Sequence, residues 1–199
     1  MRVIGLTGGI ASGKSTVSNT LRDDYGAVIL DADVAAREIA EPGAPLWTAF
    51  VARYGEERVL LPDGTLDRGA IGEIVFHNEA ERIWMESAAH PLIKRRLMER
   101  LDECRAAGEA LVVLDVPLLF EAGWENIPDE VWVVSVDGET QLRRLIERNA
   151  LPEKLARERI ASQMPLEEKV RRADVVIDNN GTREATVEQV KAALKRQPD

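Results

Sequence analysis

The strongest constraint on this chain is a stretch near its start, Gly8-Gly9-Ile10-Ala11-Ser12-Gly13-Lys14-Ser15-Thr16. It follows a short apolar run, Val3-Ile4-Gly5-Leu6, and precedes a helical pattern. The spacing Gly-x4-Gly-Lys-Ser between a strand and a helix is the signature of a phosphate-cradling loop. Gly8 and Gly13 permit backbone angles that other residues resist, and they let main-chain N–H groups come close to an anion. The helix that opens near Lys14 turns its unpaired N–H groups and positive dipole end towards the same anion. Lys14 has the reach for the β- and γ-phosphates of a triphosphate, and the Ser15 hydroxyl suits Mg²⁺.

The remainder alternates in a way that fixes the fold class. Apolar runs at 3–6, 27–30, 110–114, 130–136 and 174–177 read as five buried strands with helical patterns between them. Such alternation predicts an α/β fold of three layers, a five-stranded parallel sheet covered by helices on both faces. Residues 44–109 break the alternation and read as an all-helical insertion. Within it Asp67 caps a helix, Asn78 and Glu81 form a capping box, and Pro91 predicts a kink or break at Ala89-His90. Ligands of open parallel sheets sit beyond the carboxyl ends of the strands. That rule gathers the phosphate loop, Asp31 with Asp33, Asp115 to Glu121, and Asn179 along one rim.

Several residues there could carry chemistry. Asp31 and Asp33 form an acidic pair at a strand end; such a carboxylate can hold Mg²⁺ through water or take a proton from an attacking hydroxyl. One of them is expected to cap the following helix and the other, Asp33, to face the cleft. Asp115 ends an apolar strand, which fits either a metal contact or a structural cap. Residues 139–172 hold nine Lys/Arg against six Asp/Glu. Arg144 and Arg148 lie four apart and share a helix face, where guanidinium groups can grip phosphate oxygens. Arg157, Arg159, Arg171 and Arg172 read as a solvated, ion-paired face. His90 is read either as a structural hydrogen-bonding residue or as a functional one.

Composition closes off other classes. The chain has 199 residues, enough for one sizeable core, and a net charge of −9, which disfavours a nucleic-acid backbone as partner. A single cysteine, Cys104, excludes an internal disulfide. No apolar run approaches the ~18 residues of a membrane span, and the first strand begins too early for a signal peptide. A soluble, cytoplasmic protein is expected.

Taken together, Leu6–Thr16, Asp31-Ala32-Asp33, Glu41-Pro42-Gly43, His90-Pro91-Leu92-Ile93, Pro117-Leu118-Leu119-Phe120-Glu121, Gln141-Leu142-x-Arg144-x3-Arg148 and Ala173-Asp174-x2-Ile177-Asp178-Asn179 resemble the dephospho-coenzyme A kinase family end to end. The resemblance implies a single P-loop kinase domain. Its nucleotide-binding core would be 1–35, 110–138 and 173–199, its helical substrate-binding insertion 36–109, and its arginine-rich lid 139–172. It implies ATP as co-substrate with Mg²⁺, and phosphorylation of the ribose 3′-hydroxyl of dephospho-CoA. No nucleic acid, membrane or obligate protein partner is implied. Gly9, Ala11, Ser12, Gly13, Lys14, Ser15 and Thr16 fall on the nucleotide loop, with Ser15 on the metal. Asp33 falls on the catalytic base, with a possible water-mediated metal contact. Arg144 and Arg148 fall on lid arginines, Arg144 and Lys14 sharing in catalysis, and Asn179 falls near the adenine. His90, Pro117, Leu118 and Leu119 fall on substrate-side motifs. Ala11 stands where the family usually has glycine, a change small enough in size to cost nothing, and Asn149 stands where aspartate is common.

Rival readings are a nucleoside monophosphate kinase, a GTPase switch and a non-catalytic ATP sensor. The GTPase lacks its Asn/Thr-Lys-x-Asp guanine motif here. The other two are separated by acceptor turnover.

Overall fold

The computed structural model describes residues 1–196. In chain order the elements are β1 (Arg2–Gly8), α1 (Lys14–Tyr25), β2 (Val28–Asp31), α2 (Ala32–Glu38), α3 (Pro45–Tyr54), α4 (Glu56–Val59), α5 (Arg68–Phe76), α6 (Glu79–Ala107), β3 (Leu111–Asp115), β4 (Glu130–Ser135), α7 (Gly138–Asn149), α8 (Glu153–Ala161), α9 (Leu166–Arg171), β5 (Val175–Asp178) and α10 (Arg183–Leu194). They fall into two compact units, Met1–Leu30 with the chain from Cys104 onward, and Asp31–Glu103.

The first unit is built on a five-stranded sheet in the order β2-β3-β1-β4-β5. β1 runs parallel to β3 and β4, and β4 runs parallel to β5. The strands are apolar along their length because helices cover both faces. On one face Ile4, Leu6, Val113, Trp132, Val134 and Ile177 pack with Val17 and Leu21 of α1 and Val190 of α10. Each fully buried side chain of this size contributes about 1.5–3 kcal/mol. On the other face α9 lies against β4. Register sets the site: Leu6 stands opposite Asp115, so the β3 carboxylate arrives level with the entry to the phosphate loop.

The second unit is helical, with one isolated bridge between Leu60 and Leu66. Its core joins Ile39, Leu46, Phe50, Val59 and Ile71. Of the kink or break expected at Ala89-His90, the break does not occur: α6 is a continuous helix through Pro91. Proline inside a helix costs about 3 kcal/mol. Trp84, Met85, Ala88 and Ala89 before it, and Leu92 and Ile93 after it, pack on the same core. A break would forfeit one set or the other. The expected capping box is half made. Asn78 Oδ1 accepts from the N–H groups of Ala80 and Glu81 at 3.0 and 3.3 Å. The Glu81 carboxylate turns instead to Arg53, accepting at 2.7 and 3.0 Å, and to the Tyr54 hydroxyl. Arg53 and then Tyr54, by hydrogen bonding, hold the Glu81 carboxyl below its ordinary value.

Candidate active site

The phosphate loop is shaped by two residues in the left-handed region, Ala11 at φ 60° and Gly13 at φ 85°. Between them the Ser12 N–H donates to the Gly9 carbonyl at 3.0 Å, and the Thr16 N–H donates to Gly13 at 2.9 Å as α1 begins. Successive main-chain N–H groups in this conformation make an anion-binding concavity. The explanation of Ala11 by size is therefore incomplete. The position asks for a left-handed backbone, which costs a non-glycine residue roughly 1–2 kcal/mol.

Space explains the glycines that remain. A Cβ on Gly8 would come 2.6 Å from Ser12 Oγ and 2.7 Å from the Val134 carbonyl oxygen. One on Gly9 would come 2.5 Å from Gln141 Nε2, and one on Gly13 would collide with the Asn179 amide.

Lys14, at the first position of α1, ion-pairs with Asp115. Asp115 is almost wholly buried, with 4% of its surface exposed. A buried carboxylate with a cationic partner is the expected arrangement, and it aims the ammonium along the loop. Ser15 is exposed in the same turn, and Ser12 is buried with its hydroxyl unpaired.

Amides to which the sequence assigns no part in the loop hold its backbone. The Ile10 N–H donates to Gln163 Oε1 at 2.9 Å, and Gln141 Nε2 donates to the Ile10 carbonyl at 2.9 Å. Asn179, expected near the adenine, uses both ends of its side chain within the protein. Nδ2 donates to the Ser12 carbonyl at 2.8 Å, and Oδ1 accepts from Thr186 Oγ1 at 2.8 Å. A buried carboxamide so satisfied is a rigid strut.

The Pro117–Glu121 turn is held by a lysine that the sequence hid. Lys169 lies in the arginine-rich segment, yet it is fully buried. Its ammonium pairs with Glu121 at 2.9 Å and donates to the Pro117 carbonyl at 3.1 Å. Thr7 Oγ1 donates to that carbonyl as well, at 3.0 Å. Leu119, expected on the substrate side, is fully buried, and its Cδ1 would lie 3.0 Å from a Cβ on Gly5. It packs the sheet, which leaves Leu118, 39% exposed, as the side chain of this turn that faces out.

Of the two arginines expected in a lid, Arg144 is half-buried, and its Nη1 would lie 3.9 Å from a Cβ on Gly13. Arg148 is exposed and donates from Nε to Asn149 Oδ1 at 2.9 Å. Asp137 caps α7 by accepting from the Thr140 N–H at 2.8 Å. Hydrogen bonding from the Thr140 backbone N–H and then its side chain holds the Asp137 carboxyl below the ordinary value. Of the arginines read as solvated and ion-paired, Arg157 pairs with Glu153, and Arg171 with Glu168. Arg172 pairs with Glu125 and lies 4.5 Å over the Phe120 ring.

In the helical unit Asp31 is the cap of α2, its Oδ1 accepting from the N–H groups of Asp33 and Val34 at 2.7 and 3.3 Å. That frees Asp33, whose carboxylate is exposed and lines a cavity of about 590 Å³. Arg37, one turn along α2, and His90 of α6 line the same cavity.

The comparisons with known proteins converge. A family model for dephospho-CoA kinase matches residues 2–185. The dephospho-CoA kinase of Symbiobacterium thermophilum is 49% identical over 195 residues, covering 98% of this chain and 81% of that one. The crystal structure of TT1252 from Thermus thermophilus superposes with a TM-score of 0.81 at 34% identity, covering 97% of this chain and 95% of that one. The dephospho-CoA kinase of Campylobacter jejuni superposes at 0.73 with 28% identity, covering 98% and 96%. A match that spans the phosphate loop, the helical unit and the arginine-rich segment together places this chain in the dephospho-CoA kinase family.

Proposed function

We propose that this chain transfers the terminal phosphoryl group of ATP to the ribose 3′-hydroxyl of dephospho-CoA, giving CoA and ADP, in the cytoplasm. The observation that carries this reading is the extent of the family match, which covers the acceptor-side helical unit as well as the phosphate loop.

The residues supply a mechanism of positioning and electrostatics. The loop N–H groups and Lys14 hold the phosphates. Asp115 keeps the Lys14 ammonium aimed when no phosphate is present. Arg144, beside Gly13, stabilises charge on the group in transit, and Arg148 joins it from the next turn of α7. Asp33 orients the 3′-hydroxyl and accepts its proton. Asn179 acts through Ser12, fixing the loop's shape. His90 and the Pro117–Leu118 turn contact the acceptor.

The oxygen donors fit Mg²⁺. Ser15 offers an exposed hydroxyl at the loop, and Asp115 a carboxylate one strand away. Among the described residues no three His, Cys, Asp or Glu side chains gather into a cage, which suits an ion that is held largely by phosphates and water. When bound it would neutralise phosphate charge.

An assay of ADP release with dephospho-CoA as acceptor tests the reading. Asp33→Asn at saturating substrates is expected to lose about 10²–10⁴-fold in turnover. Near-normal turnover would remove Asp33 from the role of base.

A further inference from the structure

The cavity of the helical unit has a composition that catalysis at a hydroxyl does not explain. Its apolar walls are Leu46, Phe50, Ile71, Val75, Met85 and Ile93, contributed by the three helices α3, α5 and α6. No Ser, Thr, Asn or Gln side chain lines it. A purine would ask for hydrogen-bonding groups at its edge and a ring to stack on. Phe50, one of only two rings lining the cavity, is buried and already packed against Tyr54 and Trp84 at 5.9 and 5.4 Å. At about 590 Å³ the space suits an elongated, flexible, largely apolar group.

Small residues hold it open. Ala36, Ala40 and Ala89 face it, and so does Gly72, at the centre of α5. Glycine is, after proline, the poorest residue for a helix interior. Neither usual reason for tolerating it applies here. Gly72 has no left-handed φ, and a Cβ added there would meet nothing within 4 Å. The space beside it is empty of protein.

The charged groups lie among these walls: two carboxylates, Asp33 and Glu86, and two guanidinium groups, Arg37 and Arg68. Asp33, Ala36, Arg37 and Ala40 fall at i, i+3, i+4 and i+7, so one stripe of α2 carries the carboxylate, a guanidinium and two small wall residues. Arg68 opens α5 and lines the cavity too. Neither Arg37 nor Arg68 has a side-chain ion pair or hydrogen bond among the described residues. Two uncommitted guanidinium groups fit a pyrophosphate.

We propose that this cavity receives the pantetheine arm of dephospho-CoA, that Arg37 and Arg68 grip the pyrophosphate from which the arm hangs, and that Gly72 is a specificity-determining residue that keeps the arm's channel open. This rests on the acceptor named above and adds how that acceptor is told from other adenosine phosphates.

The probe is 4′-phosphopantetheine, the arm with one phosphate and no adenosine. It is expected to inhibit competitively against dephospho-CoA and not against ATP. Gly72→Leu is expected to raise the KM for dephospho-CoA by about tenfold or more and to abolish that inhibition. It should leave the KM for ATP within about twofold and the melting temperature unchanged or higher. Arg68→Ala should raise the KM for dephospho-CoA and weaken phosphopantetheine inhibition with no change in melting temperature. Turnover of dephospho-CoA by the wild-type protein, with Gly72→Leu indifferent to the arm or with phosphopantetheine failing to compete, overturns the cavity assignment alone. Absence of wild-type turnover with dephospho-CoA overturns the acceptor, and the cavity assignment with it.

Discussion

Glu121→Leu is expected to destabilise the fold more than Lys169→Met, although the two residues form a single ion pair. The asymmetry follows from burial. Lys169 has none of its side chain exposed, whereas Glu121 has 23%. Removing the carboxylate leaves an ammonium sealed in the protein with, among the described residues, only the Pro117 carbonyl, at 3.1 Å, to receive it. Stranding a buried charge in this way costs about 3–5 kcal/mol. Removing the ammonium leaves a carboxylate that still reaches water and still accepts from the Met164 N–H at 3.0 Å. Methionine also keeps most of the apolar stem in place, so the loss is about 1–2 kcal/mol. Urea unfolding read by tryptophan fluorescence measures both. The gap corresponds to a melting-temperature difference on the order of 5–10 °C for a chain of this size. The double variant should recover part of the Glu121→Leu loss. If Lys169→Met proves the costlier change, or the double variant is worse than Glu121→Leu, the burial argument is refuted.

Other outcomes are as definite. Ala11→Gly relieves the positive φ and should raise stability by up to about 1 kcal/mol, since part of the gain is offset by a more flexible unfolded chain; a lower urea midpoint would contradict it. Gly13→Ala is expected to abolish measurable ATP binding in calorimetry, because it strains φ and pushes Asn179 off Ser12. Chelation of divalent cations should stop turnover, and Mg²⁺ should restore it. The folded-state pKa of Asp137 lies below its unfolded value, so its contribution is present above about pH 4 and is lost as pH falls through the folded value. Asp137→Asn should therefore flatten the stability profile in that acid limb and leave its slope at neutral pH unchanged.

What could be read from the sequence depended on whether a signal was local. The strands were legible because each is a short apolar run closed by glycine or aspartate, and the phosphate loop because its glycines and lysine have fixed spacing. Of Asp31 and Asp33 the sequence said only that one would cap, which in the structure is Asp31, whereas Asp67 could be recognised as a cap from its position alone. The course of α6 through Pro91 was not, because a local rule was outweighed by packing on both sides of the proline. Lys169 was hidden for the opposite reason. It sits among Glu167, Glu168, Arg171 and Arg172, a pattern that looks solvated, and its carboxylate partner lies far away in sequence at Glu121. Gln141, Gln163 and the inward use of Asn179 had no local mark, since an uncharged amide at a backbone carbonyl leaves no pattern to read. Gly72 was not singled out in the sequence; the open space beside it required coordinates.

The grip of Gln141 and Gln163 on Ile10 has a consequence for communication within the molecule. The two carboxamides hold the successive peptide groups on either side of the Ile10 Cα, so the links run through the backbone and not through the Ile10 side chain, and loss of either carboxamide severs one of the two. Any tightening of this backbone by a triphosphate is then transmitted to α7 and to the junction of α8 with α9. By reciprocity, unfastening that junction must weaken nucleotide affinity by the same free energy. Amide hydrogen exchange along α8 would accordingly report, at a distance, whether the phosphate loop is filled.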